Sequence, residues 1–113
     1  MNNSLIIEEA LKYINEHLEG ELSLEKVSKC ESLSPIHFHN VFKASVGRTL
    51  REYVEDQRIK KAIDLMLTTN DSLTEIAYKC GFSSQSYFSY AFKRKMKITP
   101  REYVREIYSK YEL

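Results

Sequence analysis

The chain has 113 residues, enough for one domain or for two very small ones that share a helix. An apolar content of 42%, with two Pro and three Gly, is typical of a helix-rich folded chain and excludes a disordered one. No stretch approaches ~20 apolar residues and the N-terminus lacks signal-peptide features, so we expect neither a membrane span nor secretion. The two cysteines, Cys30 and Cys80, form no CxxC pair, and we expect them to be reduced and buried.

The first predicted helix covers residues 5–18, where apolar residues recur at helical spacing. Asn3 or Ser4 is expected to cap its start, and Glu8–Glu9 are expected to favour its first turn. Gly20 is expected to end it. The apolar face consists of Ile7, Ala10, Leu11, Ile14 and Leu18.

Two further helices follow before residue 47. Ser23 is expected to cap a short helix that ends near Glu31. Ser34, an N-cap residue followed by Pro35, predicts the start of a third helix that ends near Val46. The residues expected to face the core are Leu24, Val27, Phe38, Val41 and Phe42.

Capping boxes mark the starts of three later helices. The pattern Ser/Thr-x-x-Glu occurs at Thr49–Glu52, Ser72–Glu75 and Thr99–Glu102. The first opens a long helix over about 50–67, and a sixth helix is predicted over about 84–97. The sequence therefore predicts an all-α fold of seven helices.

The stretch 76–92 has the form of a helix-turn-helix motif. Ala77 permits a close approach of two helices, and Gly81, four residues later, is expected to adopt a positive φ. Phe88 and Phe92 follow at helical spacing on the inward face of the second helix. This pattern alone is a moderately specific signal for a DNA-binding helix.

The motif belongs to an internal repeat. Residues 23–54 align with residues 72–104, with one extra residue in the turn of the second copy. The first copy has Ser28 and Ser32 where the second has Ala77 and Gly81. The repeat predicts two helix-turn-helix subdomains joined by a long connecting helix, with boundaries 1–48, 49–68 and 69–113.

A continuous helix over 50–67 would be about 27 Å long. Two recognition helices on such a connector could enter successive major grooves, which are ~34 Å apart on one face of DNA. Because the two copies differ in sequence, the bound site is expected to be asymmetric.

The chain resembles the DNA-binding domain of AraC/XylS-type bacterial transcription regulators over residues 5–108. The stretch GFSSQSYFSYAFKRKMKITPREYV carries most of the resemblance, with Phe92-Lys93 and Thr99-Pro100 where the family expects them. The resemblance implies a double-stranded-DNA-binding regulator, expected to be an activator that also contacts RNA polymerase. Asn40 and Tyr90 depart from the family, which often has Arg at these places, so recognition is expected to favour A·T pairs or DNA shape over guanine.

The outward faces of helices three and six predict the DNA contacts. Side chains near the start of a recognition helix reach base edges most easily. Predicted base contacts are Ile36, His39, Asn40, Gln85, Ser86, Ser89 and Tyr90. Predicted phosphate contacts are Ser34, Lys43, Arg48, Lys93, Arg94 and Lys97.

The distribution of charge is consistent with this interpretation. The net charge is +1, but residues 1–32 carry −4 and residues 33–113 carry +5. The alternative is a protein-interaction module that keeps the fold and has lost DNA binding. An enzyme is not expected, because no nucleophile elbow, acid pair or phosphate loop is present.

The same sequence predicts neither a cofactor nor a metal site. His37 and His39 lie about 200° apart on a helix, so we do not expect them to share a zinc ion with Cys30; His37 is expected to pack. No small-molecule ligand is evident, and we expect a cytoplasmic, nucleoid-associated protein without membrane contact.

Overall fold

The computed structural model describes residues 3–111, which form seven α-helices and no strand. The prediction of an all-α fold with seven helices is confirmed. The helices are α1 (Asn3–Glu16), α2 (Leu24–Cys30), α3 (Pro35–Val46), α4 (Leu50–Thr68), α5 (Leu73–Lys79), α6 (Gln85–Met96) and α7 (Pro100–Tyr111).

The chain divides into two compact units, Met1–Gln57 and Arg58–Leu113. The division lies inside α4, which runs without a break from Leu50 to Thr68. The N-terminal half of α4 contributes to the core of the first unit and its C-terminal half to the core of the second. The boundaries 1–48, 49–68 and 69–113 remain a prediction.

The core of the first unit is built around two phenylalanines of α3. Phe38 and Phe42 are fully buried, with ring centroids 5.6 Å apart. Tyr53 of α4 meets Phe42 edge to face at 5.9 Å, a favoured aromatic geometry. Ile14 of α1 and Val27 of α2 belong to the same buried cluster, as their helical spacing predicts.

The second unit repeats this arrangement with its own residues. Phe88 and Phe92 of α6 are fully buried, with ring centroids 5.9 Å apart. Tyr103 meets Phe92 edge to face at 5.7 Å, matching the Tyr53–Phe42 contact. Phe82, in the turn before α6, packs 5.1 Å from Phe88. The sequence repeat is therefore also a repeat of core packing.

All three predicted capping boxes form. At each one the glutamate backbone N–H donates to the Ser or Thr hydroxyl, and the glutamate carboxylate accepts from the cap residue's backbone N–H. These backbone hydrogen bonds, from Thr49 and Thr99, hold the pKa of Glu52 and of Glu102 below the usual value. The boxes fix the starts of α4, α5 and α7.

The predicted limits of α1 are wrong at both ends. The helix already includes Asn3 and Ser4, so neither is its cap, and Glu8–Glu9 lie beyond the first turn. It ends at Glu16, before Gly20, yet Leu18 stays buried. Because Leu18 is buried although it lies beyond the helix, its apolar side chain continued the helical spacing in the sequence and made the predicted helix too long.

The two cysteines differ in environment. Cys80 is buried as predicted, and burial raises the pKa of its thiol to about 11. Cys30 is exposed at the end of α2, so the prediction that it is buried is wrong.

Candidate nucleic-acid interface

The turn of the second unit has the geometry that its sequence predicts. Ala77 is fully buried, and Gly81 has φ = 95°. The Phe82 backbone N–H donates to the Ala77 carbonyl at 2.9 Å, which closes the turn and directs the Phe82 ring into the core. Only Gly adopts this backbone conformation without steric cost.

The first unit makes the same turn with less favourable residues. Ser28 replaces Ala77 and is buried, with its hydroxyl donating to the Glu25 carbonyl at 3.1 Å. Ser32 replaces Gly81 and has φ = 57°. The Leu33 N–H donates to the Ser28 carbonyl at 3.0 Å, as Phe82 does to Ala77. Both copies therefore form a complete helix-turn-helix turn.

Each second helix begins with a serine cap. The Ser34 hydroxyl accepts from the His37 N–H at 3.2 Å, and the Ser84 hydroxyl accepts from the Tyr87 N–H at 3.0 Å. Pro35 occupies the first position of α3, where a missing N–H costs nothing. Each cap accepts a hydrogen bond from one of the backbone N–H groups in the first turn that have no partner within the helix. The helix dipole favours an anion at the remaining N–H groups.

The predicted base contacts on α3 differ in exposure. Ile36 is 77% exposed and Asn40 is also exposed, whereas His39 is half-buried. His37 is exposed and does not pack, so its prediction as a packing residue is wrong. The prediction came from aligning His37 with Tyr87, which is half-buried in the second unit. The polar His37 side chain instead lies on the accessible side of α3.

On α6, Ser86 and Tyr90 are exposed, while Gln85 and Ser89 are half-buried. The side-chain oxygen of Gln85 accepts a hydrogen bond from the Thr74 hydroxyl of α5 at 2.7 Å. This contact joins the two helices of the motif. No sequence pattern indicated it, because the residues lie eleven positions apart on either side of the turn.

Tyr90 contacts another aromatic ring and a cation on its own helix. The Arg94 guanidinium lies 5.2 Å from the centroid of the Tyr90 ring, and the Tyr87 ring lies 6.1 Å away on the same helix. A cation over an aromatic face is attracted to it, at an exposed site by about 0.5–1 kcal/mol. The surface of α6 therefore presents the Arg94 guanidinium beside position 90, although residue 90 is a tyrosine.

The predicted phosphate contacts include a repeated lysine. Lys43 and Lys93 occupy equivalent places in α3 and α6, and both are exposed. Lys97 ends α6 in the left-handed conformation with φ = 73°, and its amine donates to the Arg94 carbonyl at 3.2 Å. Arg48 forms an ion pair with Asp56, which partly neutralises it.

The two units carry opposite net charges. Residues 1–57 hold six Lys/Arg against ten Asp/Glu, a net −4, and residues 58–113 hold eleven against six, a net +5. The basic unit is also the one with the well-formed turn. Its surface favours a polyanion more strongly than that of the first unit.

The residues that the structure describes contain neither a cluster of metal ligands nor a membrane-spanning helix. Within residues 3–111 no three His, Cys, Asp or Glu side chains come together to hold a metal ion. None of the helices described is long and apolar enough to cross a membrane.

Two helix-turn-helix turns, each leading into a helix with a polar outer face, define a tandem helix-turn-helix domain. The Helix-turn-helix domain family matches residues 27–106. The chain is 35% identical to the HTH-type transcriptional activator RhaS of Enterobacter sp. (strain 638), over 89% of this chain and 36% of that protein. It is 36% identical to the regulatory protein PocR of Salmonella typhimurium, over 89% and 33%.

Solved structures agree with these relatives. The C-terminal domain of AraT, a response regulator from Geobacillus stearothermophilus, superposes with a TM-score of 0.86 at 33% identity, over 89% of this chain and 84% of that one. The DNA-binding domain of AdpA, solved with a target DNA, has a TM-score of 0.87 at 24% identity, over 92% and 94%, which shows the shared fold. The chain belongs to the AraC/XylS-type helix-turn-helix family. It spans about a third of the length of the curated relatives it matches.

Proposed function

We propose that this chain binds double-stranded DNA in a sequence-specific manner as the DNA-binding part of a transcription regulator. The observation that carries the proposal is the pair of complete turns, Ala77–Phe82 and Ser28–Leu33, each presenting a serine-capped helix. In this motif the second helix enters the major groove. The AdpA domain was solved with DNA, and RhaS is described as a transcriptional activator.

The two recognition helices, α3 and α6, are proposed to enter successive major grooves of one asymmetric site. Their outward residues differ: α3 offers Ile36 and Asn40, whereas α6 offers Ser86 and Tyr90. Different side chains read different base edges, so the half-sites need not be related by symmetry. One chain would then read two half-sites without dimerising.

The proposed base contacts are those predicted from the sequence, with exposed Ile36, Asn40, Ser86 and Tyr90 at their centre. Half-buried His39, Gln85 and Ser89 would contribute through the polar atoms that remain accessible. Proposed phosphate contacts are Ser34, Lys43, Arg48, Lys93, Arg94 and Lys97.

The wider role is proposed from the relatives. We propose an activator that contacts RNA polymerase and acts in the cytoplasm on nucleoid DNA, without enzymatic activity. The relative RhaS, a transcriptional activator, supports activation. The alternative of an interaction module without DNA binding is disfavoured by the same relatives.

Selection of bound duplexes from a random pool, followed by affinity measurements against salt, tests the proposal. Five cationic contacts predict a slope of log affinity against log salt of about −4.5, or about −3.6 if the Arg48–Asp56 pair persists. The selected site should contain two unlike half-sites about one helical turn apart. Undetectable or salt-insensitive binding by folded protein would refute DNA binding.

A further inference from the structure

The contact between Thr74 and Gln85 restricts how the glutamine can read a base. Thr74 lies in the first turn of α5, and Gln85 is the first residue of α6. The Thr74 hydroxyl donates to the side-chain carbonyl oxygen of Gln85 at 2.7 Å. Gln85 is half-buried, and this hydrogen bond on the surface of the unit links its side chain on α6 to α5.

A glutamine amide has two different ends. Its oxygen accepts hydrogen bonds and its nitrogen donates two. Paired reading of adenine uses both ends, because N6 of adenine donates and N7 accepts. The hydrogen bond from Thr74 takes one of the two lone pairs of the Gln85 oxygen and directs that oxygen toward α5, so we infer that the two N–H groups are the part of the amide offered to a base.

We propose that Thr74 is a positioning residue that makes Gln85 a hydrogen-bond donor toward DNA, so that Gln85 prefers guanine to adenine. Guanine presents two acceptors, O6 and N7, on its major-groove edge. This inference rests on the proposed function of the chain in binding DNA. It replaces the paired adenine contact that glutamine makes when its amide is unrestrained.

The first unit provides an internal comparison. The residues equivalent to Thr74 and Gln85 are Glu25 and Pro35. Proline has no side-chain amide, and a carboxylate has no proton to donate at neutral pH. The guanine preference set by this contact therefore belongs only to the half-site read by α6.

The test compares duplexes selected from a random pool by the wild-type chain, by three single variants and by the Thr74→Val/Gln85→Ala double variant. Thr74→Val removes the hydroxyl at nearly constant volume, and Thr74→Ser keeps it. Gln85→Ala removes the reader. Thr74 is exposed, so both substitutions should leave the fold intact, which circular dichroism and thermal unfolding verify.

The expected result is a guanine preference of at least about fivefold over adenine at one position for wild type and Thr74→Ser. Thr74→Val should lose that preference or shift it to adenine, with overall affinity changed less than about threefold and an unchanged salt slope. In the Gln85→Ala background, Thr74→Val should have no further effect on base preference.

Two results would overturn the inference, and they are distinguishable. If wild type and Thr74→Val select the same base at every position, the positioning role is wrong while DNA binding stands. If folded wild-type chain shows no salt-dependent binding to any duplex, the proposed function and the positioning role both fail.

Discussion

Ser32 and Gly81 occupy the same place in the two helix-turn-helix turns, and both have positive φ, at 57° and 95°. The same exchange occurs at the ends of the recognition helices, where Gly47 has φ = 83° and Lys97 has φ = 73°. A non-glycine residue in this region is disfavoured by roughly 1–2 kcal/mol, because Cβ approaches the following carbonyl oxygen.

Replacing Ser32 by glycine is therefore expected to stabilise the first unit. Ser32→Gly should raise the free energy of unfolding by about 0.5–1 kcal/mol, after allowance for the greater freedom of glycine in the unfolded chain. Urea denaturation measures the change. Gly47→Ala is the matched control: a Cβ there meets nothing within 4 Å, so its expected loss of about 1 kcal/mol reports backbone strain alone.

Lys97→Gly extends the same prediction to the second unit. It should also stabilise, yet it removes a proposed phosphate contact, so DNA affinity should fall while the melting temperature rises. A loss of stability in both Ser32→Gly and Lys97→Gly would show that side-chain contacts outweigh the backbone cost at these positions.

Lys93 and Gln85 are expected to affect DNA binding in different ways. Lys93→Ala should weaken all duplexes about equally and reduce the salt slope by about 1, because the lysine is proposed to contact phosphate. Gln85→Ala should reduce discrimination at one base by about 1–3 kcal/mol with the salt slope unchanged. Affinity titrations on the selected site and on a single-base variant, each at several salt concentrations, separate the two effects.

Lys43 is the matched control for Lys93, since it holds the equivalent place on α3. Lys43→Ala should give the same uniform loss through the other half-site. A change of base preference in either lysine variant would contradict the assignment to phosphate.

In addition to its proposed base contact, Tyr90 is expected to position the Arg94 guanidinium that lies over its ring. Tyr90→Phe keeps the ring beneath Arg94 and should retain DNA affinity to within about twofold, whereas Tyr90→Leu removes the cation–π contact. The loss in Tyr90→Leu should be about 0.5–1 kcal/mol, or roughly two- to fivefold in affinity. Equal losses in both variants would instead assign the effect to the tyrosine hydroxyl.

Glu52 and Glu102 are expected to make stability fall at acidic pH. Because their pKa values are lowered on folding, their contribution is present above the unfolded pKa near 4.5 and is lost as pH falls through the lower folded value. Glu52→Gln should lower the melting temperature at pH 7, and the difference from wild type should shrink by pH 3. A difference that does not depend on pH would contradict a role for the charge.

The pKa of Glu31 is shifted in the opposite direction to those of Glu52 and Glu102. Burial, together with the neighbouring Glu9, raises the pKa of Glu31, so its contribution to stability is lost as pH rises through the folded value. Glu31→Gln should therefore stabilise the first unit slightly at pH 7 and not below pH 4. Glu9→Gln is the comparison, since it removes the neighbouring charge and keeps a side chain that can hydrogen-bond to Glu31.

Local chemistry explains which parts of the fold were predictable. A capping box involves residues three positions apart, so the boxes at Thr49–Glu52 and Thr99–Glu102 can be predicted without tertiary information. The buried faces of α3 and α6 were predictable because their phenylalanines recur at helical spacing. The limits of α1 were not, because Leu18 is buried from outside the helix.

The sequence was sufficient to predict which faces of α3 and α6 are exposed. It was not sufficient to predict individual side-chain contacts. Exposure of Asn40 and Ser86 follows from the phase of each helix. The half-burial of His39 and the exposure of Cys30 depend on neighbouring elements. The Thr74–Gln85 hydrogen bond depends on the turn between α5 and α6, so only the folded unit reveals it.

The distribution of left-handed residues also bears on how such a duplicated domain changes over time. Each unit keeps glycine at one of its two corners and a costlier residue at the other: Ser32 in the first, Lys97 in the second. In each unit, a single substitution to glycine at that costlier corner is therefore expected to increase stability. New side chains on α3 or α6 that alter the recognised sequence at some cost in folding could be compensated within the same unit, which gives each copy its own capacity to acquire a new target.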